Sequence, residues 1–130
     1  GVRPRHGFDW IAEGLAEYYS LELLRRGHAI TASRATTAMD DQVAWSEQAE
    51  ALCGSESTAA RTALAVTVFA ALNRELTAAT NGEANLDDVL PRIVGTDIDL
   101  ATLSRAAEAV AGTTLDTLHL DNLPGCTGIR

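Results

Sequence analysis

The sequence contains no lysine, few aromatic residues and no apolar run long enough for a membrane helix. All 10 of its Lys and Arg positions are arginine, against 18 Asp and Glu, which leaves a formal net charge of −8. Nucleic acids and anionic membranes bind clustered positive charge, so we expect neither as a partner. No stretch approaches the roughly 18 uninterrupted apolar residues of a transmembrane helix, and no signal-peptide pattern opens the chain.

The length and composition favour one globular domain. Of the 130 residues, 46% are hydrophobic and 22% are charged, which is typical of a folded chain and not of a disordered or fibrous one. A chain of this length buries roughly two-thirds of the surface that its unfolded form exposes, enough for one core without a metal or disulfide. We therefore expect a single helical domain over residues 1–130.

The two cysteines do not form a known metal or redox motif. Cys53 and Cys126 lie far apart and lack the C-x-x-C spacing of a zinc knuckle or a thioredoxin-type dithiol. A long-range disulfide and a pair of buried free thiols fit the sequence equally well. In the chain-entropy model, closing so long a loop stabilises a fold by roughly 4 kcal/mol.

Capping residues and apolar periodicity predict helices along almost the whole chain, and no hairpin is indicated. The predicted helices are 10–26 (capped by Asp9), a second from Thr31 or Ser33 to about Leu52, 58–80, a short element from about Leu86 that Pro91 limits, 100–111 (capped by Asp99) and 115–120 (capped by Thr114).

The predicted helix 58–80 is the most apolar and is expected to be central in the core. Its β-branched run at residues 66–68 would also suit a strand, but a run this long without turn residues favours a buried helix. Gly27 is expected to be a left-handed residue after the first helix, and Asn85 with Asp88 a capping arrangement. We expect a loop at 54–57 and an irregular tail over 121–130, with Cys126 in a flexible position.

One segment carries a specific pattern: residues 10–19 read W-I-A-E-G-L-A-E-Y-Y. It resembles the W-x-x-E-G-x-x-x-Y element of the gluzincin zinc metallopeptidases, the aminopeptidase N and glycyl aminopeptidase families. In those families the Glu of the Glu-Gly pair is the third zinc ligand, on a helix that packs beside the H-E-x-x-H helix. The resemblance implies that Glu13 is a zinc ligand and that Glu17 and Tyr18 contact the metal site or the substrate.

Other segments resemble the glycyl aminopeptidase relatives in the same order along the chain. They are L-L-R-R-G at 23–27 with I-T at 30–31, L-N-R-E-L at 72–76, N-L-D-D-V-L at 85–90 and A-G-T-T-L at 111–115. The resemblance implies an all-α fold, a compact bundle of about five helices like the C-terminal half of a thermolysin-like catalytic domain.

The chain departs from this family pattern because it has no H-E-x-x-H. That motif supplies two His ligands and the general-base Glu of such a site. It precedes the Glu-Gly pair by roughly twenty residues, and His6 is too close to Glu13 to belong to it. The chain also begins at Gly1, not Met. We therefore expect a fragment of a longer parent protein, binding zinc only in that parent and inactive alone.

A second departure concerns the tyrosine that such peptidases present to the tetrahedral intermediate. The resemblance places it in a Y-Y-x-K-G-like stretch, where residues 59–63 read A-A-R-T-A. Without that hydroxyl, the transition state loses one stabilising hydrogen bond, so even the parent protein is expected to be a weak or inactive peptidase unless Tyr18 or Tyr19 substitutes.

Two functions follow. The first is the C-terminal helical portion of an aminopeptidase-type metallopeptidase, with the missing N-terminal half as partner and a peptide as substrate in the parent. The alternative is a non-catalytic interaction or dimerisation module, in which an apolar face is buried against a second copy or another protein. Since relatives are often exported and two cysteines suit an oxidising compartment, we expect a periplasmic or secreted protein.

Apart from the resemblance, the same site residues have ordinary structural interpretations. Glu13 alone is typical of an exposed helix carboxylate, Glu17 of a surface partner for an arginine, and Tyr18 of an aromatic core residue.

Overall fold

The computed structural model describes residues 1–54 and 57–127. Within these ranges lie five α-helices, which confirm the predicted all-α bundle of about five helices. They are α1 (Asp9–Arg26), α2 (Ala32–Ser46), α3 (Ala59–Ala79), α4 (Leu90–Ile93) and α5 (Leu100–Ala111). The described part also has 3₁₀ helices at Leu86–Asp88 and Leu120–Asn122 and two short strands, β1 (Arg3–Pro4) and β2 (Asp97–Ile98). None of the described helices is long and apolar enough to cross a bilayer.

Helix α3 is the centre of the core, as its apolar sequence predicts, and α1 and α2 both pack against it. The Thr58 hydroxyl caps α3 by accepting a hydrogen bond of 3.0 Å from the backbone N–H of Arg61. The β-branched run at 66–68 is helical, and Val66 and Phe69 are fully buried. Burial on the core side of a long helix therefore outweighs the strand propensity of that run.

The contact between α1 and α3 is unusually close because it contains a glycine. A Cβ on Gly14 would lie 2.5 Å from the Cβ of Ala65 and 3.0 Å from Cε2 of Phe69. Beside this contact the Trp10 and Phe69 rings pack with their centroids 5.8 Å apart. Gly14 thus sets the distance between the two helices.

The predicted start of α1 is wrong by one residue, whereas its predicted end at Arg26 is confirmed; the left-handed residue expected at Gly27 is instead His28. Asp9 is the first helical residue and Phe8 occupies the cap position, without a side-chain cap. Phe8 is buried in the core, so packing sets where the helix begins. Asp9, in the first turn, is still stabilised by the positive end of the helix dipole. At the other end, Gly27 has a φ of −80°, and His28 is left-handed, with a φ of 55°.

Helix α2 ends at Ser46, so the predicted continuation to about Leu52 is wrong. Leu52 is instead drawn into the core, and its backbone N–H donates to the carbonyl of Pro124 at 2.7 Å. The next residue, Cys53, forms a disulfide with Cys126, with the two Cα atoms 4.9 Å apart. These links to the end of the chain compete with the helix and stop it early.

Residues 123–127 form no helix or strand, but they are not the flexible tail that was predicted. Leu123 and Cys126 are almost fully buried, and Gly125 has a φ of 74° that lets the chain pass directly against Ala51. Residues 55–56 of the predicted loop and 128–130 of the predicted tail lie outside the described residues.

The short elements after α3 follow the capping signals of the sequence. The Asn85 side chain accepts a hydrogen bond from the N–H of Asp87 at 2.9 Å, and the Asp88 carboxylate accepts one from the N–H of Asn85 at 2.9 Å, which confirms the predicted capping arrangement. Asp99 caps α5 through the N–H of Thr102 at 2.8 Å. The short element predicted from about Leu86 is divided into the 3₁₀ turn at Leu86–Asp88 and the short helix α4, which has Pro91 in its first turn.

The predicted helix over 115–120 is wrong. The Glu75 carboxylate on α3 accepts hydrogen bonds from the backbone N–H groups of Asp116 at 2.7 Å and Thr117 at 2.9 Å. This distant side chain satisfies the donors that a local helix cap would have taken, and only the 3₁₀ turn at Leu120–Asn122 forms. The parallel β1–β2 pair was not predicted either, because two residues are too few to show a periodicity.

We expect Gly14→Ala to destabilise the fold. The added Cβ overpacks the α1–α3 contact, at a cost of about 1–3 kcal/mol, of which higher helix propensity offsets about 1 kcal/mol. Urea denaturation measures the difference. Ser20→Ala, at an exposed position of the same helix, is the control and should change the free energy of unfolding by less than about 0.5 kcal/mol. A stabilised Gly14→Ala variant would contradict the close contact.

Candidate functional site

Glu13 lies in the second turn of α1 and forms an ion pair with a buried arginine of α3. The Arg61 Nη2 donates to Glu13 Oε2 at 2.6 Å. The Ser57 hydroxyl is 3.1 Å from both carboxylate oxygens and donates to the carboxylate. The Arg61 side chain is 4% exposed and that of Glu13 is 36% exposed. The carboxylate is therefore fixed by its partners while part of it still faces solvent.

The burial of the Arg61 guanidinium depends on its ion pair with Glu13. A guanidinium stays protonated when buried, so it needs a counter-charge and hydrogen-bond acceptors. Its Nη1 donates to the carbonyl of Gly54 at 3.3 Å, and its Nε has no partner within residues 1–54 and 57–127. Glu13 is thus the anion that makes a buried arginine tolerable at the start of α3.

Sequence reasoning missed Arg61. It lies in the stretch 59–63, where the family resemblance had pointed to a tyrosine, and its role is set by a residue 48 positions away. One signal was available: Arg61 is the single charged residue in the apolar stretch 59–73 of α3, and arginine is almost never fully buried unless paired. That signal indicates a partner without identifying it.

Neither of the other two predicted site residues is hydrogen-bonded to Glu13, whose described partners are Ser57 and Arg61. Glu17 follows one turn later on α1, half-buried, with no hydrogen bond or ion pair to the part of the chain that is described. Tyr18 is buried and packs edge-to-face against Tyr19, with ring centroids 5.2 Å apart. Burial raises the pKa of Tyr18, so its phenol stays neutral at ordinary pH.

A second polar cluster links the end of α1 to the 3₁₀ turn at Leu86–Asp88. The Tyr19 hydroxyl donates to Asp87 Oδ1 at 2.7 Å, and the Arg26 guanidinium donates to both Asp87 oxygens at 2.8 and 3.2 Å. Arg26 Nε also donates to Glu22 at 2.9 Å. The hydrogen bonds from Arg26 hold the pKa of Asp87 below its ordinary value, while burial and the Asp87 hydrogen bond raise the pKa of Tyr19.

The described residues around Glu13 do not form a complete metal site. Among the described residues, no group of three or more His, Cys, Asp or Glu side chains is placed to hold a metal ion. The two cysteines are joined in a disulfide and cannot act as thiolates. Glu13 fits as a single carboxylate ligand, because Oε1 accepts a hydrogen bond only from Ser57 within the described ranges. Any further ligands would have to come from another part of the protein.

Comparison of the chain with protein-family models, curated proteins and solved structures yields no match. The resemblance to gluzincins therefore stays a prediction from the sequence segments quoted above.

The Glu13–Arg61 pair is expected to contribute to stability. Glu13→Gln leaves the buried guanidinium without its counter-charge, so we expect the free energy of unfolding to fall by about 1–2 kcal/mol. Solvent screening of the partly exposed Glu13 keeps this loss small. In a double-mutant cycle with Arg61→Met, the combined loss should be smaller than the sum of the single losses. Glu17→Gln is the control on the same helix, with little change expected. Additive losses would show that the two side chains do not interact.

We expect Asp87→Asn to alter the pH dependence of stability. Because the folded-state pKa of Asp87 is lowered from 3.8, its stabilisation is complete above that pH and is lost as the pH falls through the lowered pKa. The variant should therefore be less stable than the unsubstituted chain at pH 7, with the difference vanishing at acid pH. Thermal unfolding followed by circular dichroism at a series of pH values measures this.

Asp41→Asn is the matched control for this titration, because Asp41 is exposed on α2. As a surface substitution, it should change the free energy of unfolding at pH 7 by less than about 0.5 kcal/mol. A difference between Asp87→Asn and the unsubstituted chain that stays constant down to acid pH would contradict the charge pairing of Asp87 with Arg26.

Proposed function

We propose that this chain is the helical C-terminal portion of an aminopeptidase-type zinc metallopeptidase-like protein, in which Glu13 supplies one metal ligand. The observation that carries the proposal is the fixed but partly exposed carboxylate of Glu13, held by the buried Arg61. Metal-binding carboxylates are usually oriented by hydrogen bonds from neighbouring residues. An unpaired surface glutamate keeps its rotamer freedom and would lose it on binding a metal.

The two oxygens of Glu13 have different environments, which supports binding of a metal through one oxygen only. Oε2 receives the short charged hydrogen bond from Arg61, whereas Oε1 accepts only from the Ser57 hydroxyl in the described part of the chain. A hydroxyl rotates easily, so Oε1 is the oxygen that a cation could approach. A zinc ion in such a family site polarises the substrate carbonyl and lowers the pKa of its bound water.

The chain by itself should not hydrolyse peptides. One carboxylate cannot hold zinc tightly, and the described residues contain no group of three or more metal ligands. In this proposal the other ligands, the base and the peptide-binding surface come from the preceding part of the parent protein, in the periplasm or outside the cell. Cys53 and Cys126, joined in a disulfide, suit that compartment.

An apolar surface next to Glu13 supports contact with a further part of the protein. It is formed by α1 and the segment around α4, and its main side chains are Val2, Ala12, Tyr19, Leu23, Leu90 and Val94. Leu23 is 60% exposed and Val94 51% exposed. Ala16 also lines this surface and, three residues after Glu13, is its neighbour on the helix, so protein packed on this surface would border Glu13.

The alternative function is a non-catalytic interaction or dimerisation module on the same scaffold. One observation favours it: Arg61 already neutralises Glu13, and it projects from the stretch where the family pattern has its tyrosine. The ion pair is then a finished structural contact that needs no metal. In this case the apolar surface beside Glu13 would be covered by a second copy of the chain.

Two measurements test the peptidase proposal. We expect the coding sequence upstream of Gly1 to encode H-E-x-x-H roughly twenty residues before Glu13. In the full-length protein, Glu13→Gln should weaken zinc binding at least about tenfold, because one ligand is lost. Zinc per molecule, measured by inductively coupled plasma mass spectrometry after dialysis against a weak chelator, reports this. Glu47→Gln, at the exposed end of α2, is the control and should retain zinc.

The outcomes separate the two functions. If H-E-x-x-H is missing upstream, or if Glu13→Gln keeps its zinc, the peptidase proposal fails. In that event, sedimentation of the 130-residue chain should show a dimer that Leu23→Asp dissociates. A monomer at all concentrations would reject the dimerisation module.

A further inference from the structure

We propose that a second site, a cleft between α5 and residues 114–120, binds a small amphipathic amine, that is, an ammonium group carried on a compact apolar body. The cleft has a volume of about 640 Å³, within the range of small-molecule sites in proteins. Glu13, Ser57 and Arg61 do not line it, so this inference is independent of the proposed function.

The inner surface of the cleft is apolar. Phe8, Leu115 and Leu118 line it and are themselves almost fully buried, so they form a packed wall. Leu100 at the start of α5 is half-buried, and Leu120 stands exposed at the edge. A ligand with an aliphatic or aromatic body gains by removing this surface from water.

The cleft lining is mainly acidic. Asp99, Glu108 and Asp116 line it together with His119, whose Nδ1 lies 3.5 Å from the Asp121 carboxylate, and its described lining contains no arginine. The Asp99 carboxylate is already engaged, because it caps Thr102 and lies 3.7 Å from Arg5. The side chains of Glu108 and Asp116 have no hydrogen-bond or ion-pair partner within residues 1–54 and 57–127. Two carboxylates beside an apolar wall therefore remain without a counter-charge.

This combination selects for a cation with an apolar body. A phosphate or carboxylate ligand would be repelled by the two uncompensated carboxylates. A neutral apolar ligand would displace water from the two carboxylates without offering them a positive charge or a hydrogen-bond donor. An ammonium group provides three donors and a positive charge, while its apolar body covers the leucine wall.

The cleft is held in shape by contacts on both of its sides. Glu75 accepts hydrogen bonds from the backbone of Asp116 and Thr117, which fixes the segment that carries one of the carboxylates. The Asn122 side chain donates to the Asp116 carbonyl at 2.8 Å. On the other side, the Asp99 cap fixes the first turn of α5. Little ordering is then required when a ligand enters.

The test uses three probes of similar shape and different charge: phenethylamine, phenethyl alcohol and hydrocinnamate. Each is titrated into the ¹⁵N-labelled 130-residue chain, and amide shifts are followed by NMR. We expect phenethylamine to shift the amides of Ser104, Glu108 and Leu118, with the alcohol binding several-fold more weakly and the anion weakest. Equal binding of the amine and the alcohol, shifts confined to other regions, or no binding of the amine would overturn the proposal.

Charge-removing variants locate the ammonium group. Glu108→Gln and Asp116→Asn should each weaken phenethylamine binding about two- to fivefold, as expected for a partly exposed ion pair, and leave the binding of the alcohol unchanged. Glu83→Gln removes the same charge from the exposed turn after α3 and should have no effect. Unchanged amine binding in both cleft variants, or an equal loss in Glu83→Gln, would show that the two carboxylates do not select the ligand.

Discussion

The close contact between α1 and α3 at Gly14 is the constraint on which most of the structure depends. A side chain at this position would meet Ala65 and Phe69, so only glycine permits the spacing that is seen. Because the two helices are so close, Glu13 reaches the first turn of α3 and meets Arg61. The same packing buries Trp10 against Phe69. The absence of a side chain at Gly14 therefore allows both the close packing of α1 on α3 in the core and the position of Glu13, the candidate metal ligand.

Charge in this acidic chain is organised around its few arginines. Arg61 compensates Glu13 in a buried position, and Arg26 joins Asp87 and Glu22 at the end of α1. The Arg61 pair joins α1 to α3, and the Arg26 pair with Asp87 joins α1 to the 3₁₀ turn at Leu86–Asp88. The carboxylates of Glu108 and Asp116 in the cleft beside α5 have no such partner among the described residues. Net charge alone indicates only that polyanions are poor partners, whereas the placement of individual arginines distinguishes a paired carboxylate from one that is free to bind a ligand.

Contacts between distant parts of the chain explain the wrong predictions. The disulfide and the Leu52–Pro124 hydrogen bond join segments more than 70 residues apart, shorten α2 and bury the end of the chain. Glu75 takes the backbone donors that would have begun a helix after Thr114. In each case the local signal for helix was present, but a partner from elsewhere in the chain bound the same backbone groups or side chains more favourably.

The sequence by itself determined the helical class and most helix starts, because the signals for both act within about four residues: the side chains of Thr58 and Asp99 bond to the backbone three residues on. It also singled out Glu13, through a motif contained in one helix, although its metal role stays a prediction. Only the tertiary structure decided that Glu13 pairs with Arg61, that Cys53 bonds to Cys126, and that Glu108 and Asp116 line one cleft. These contacts join residues from different elements, and their geometry depends on how the helices pack, which no short stretch of sequence encodes.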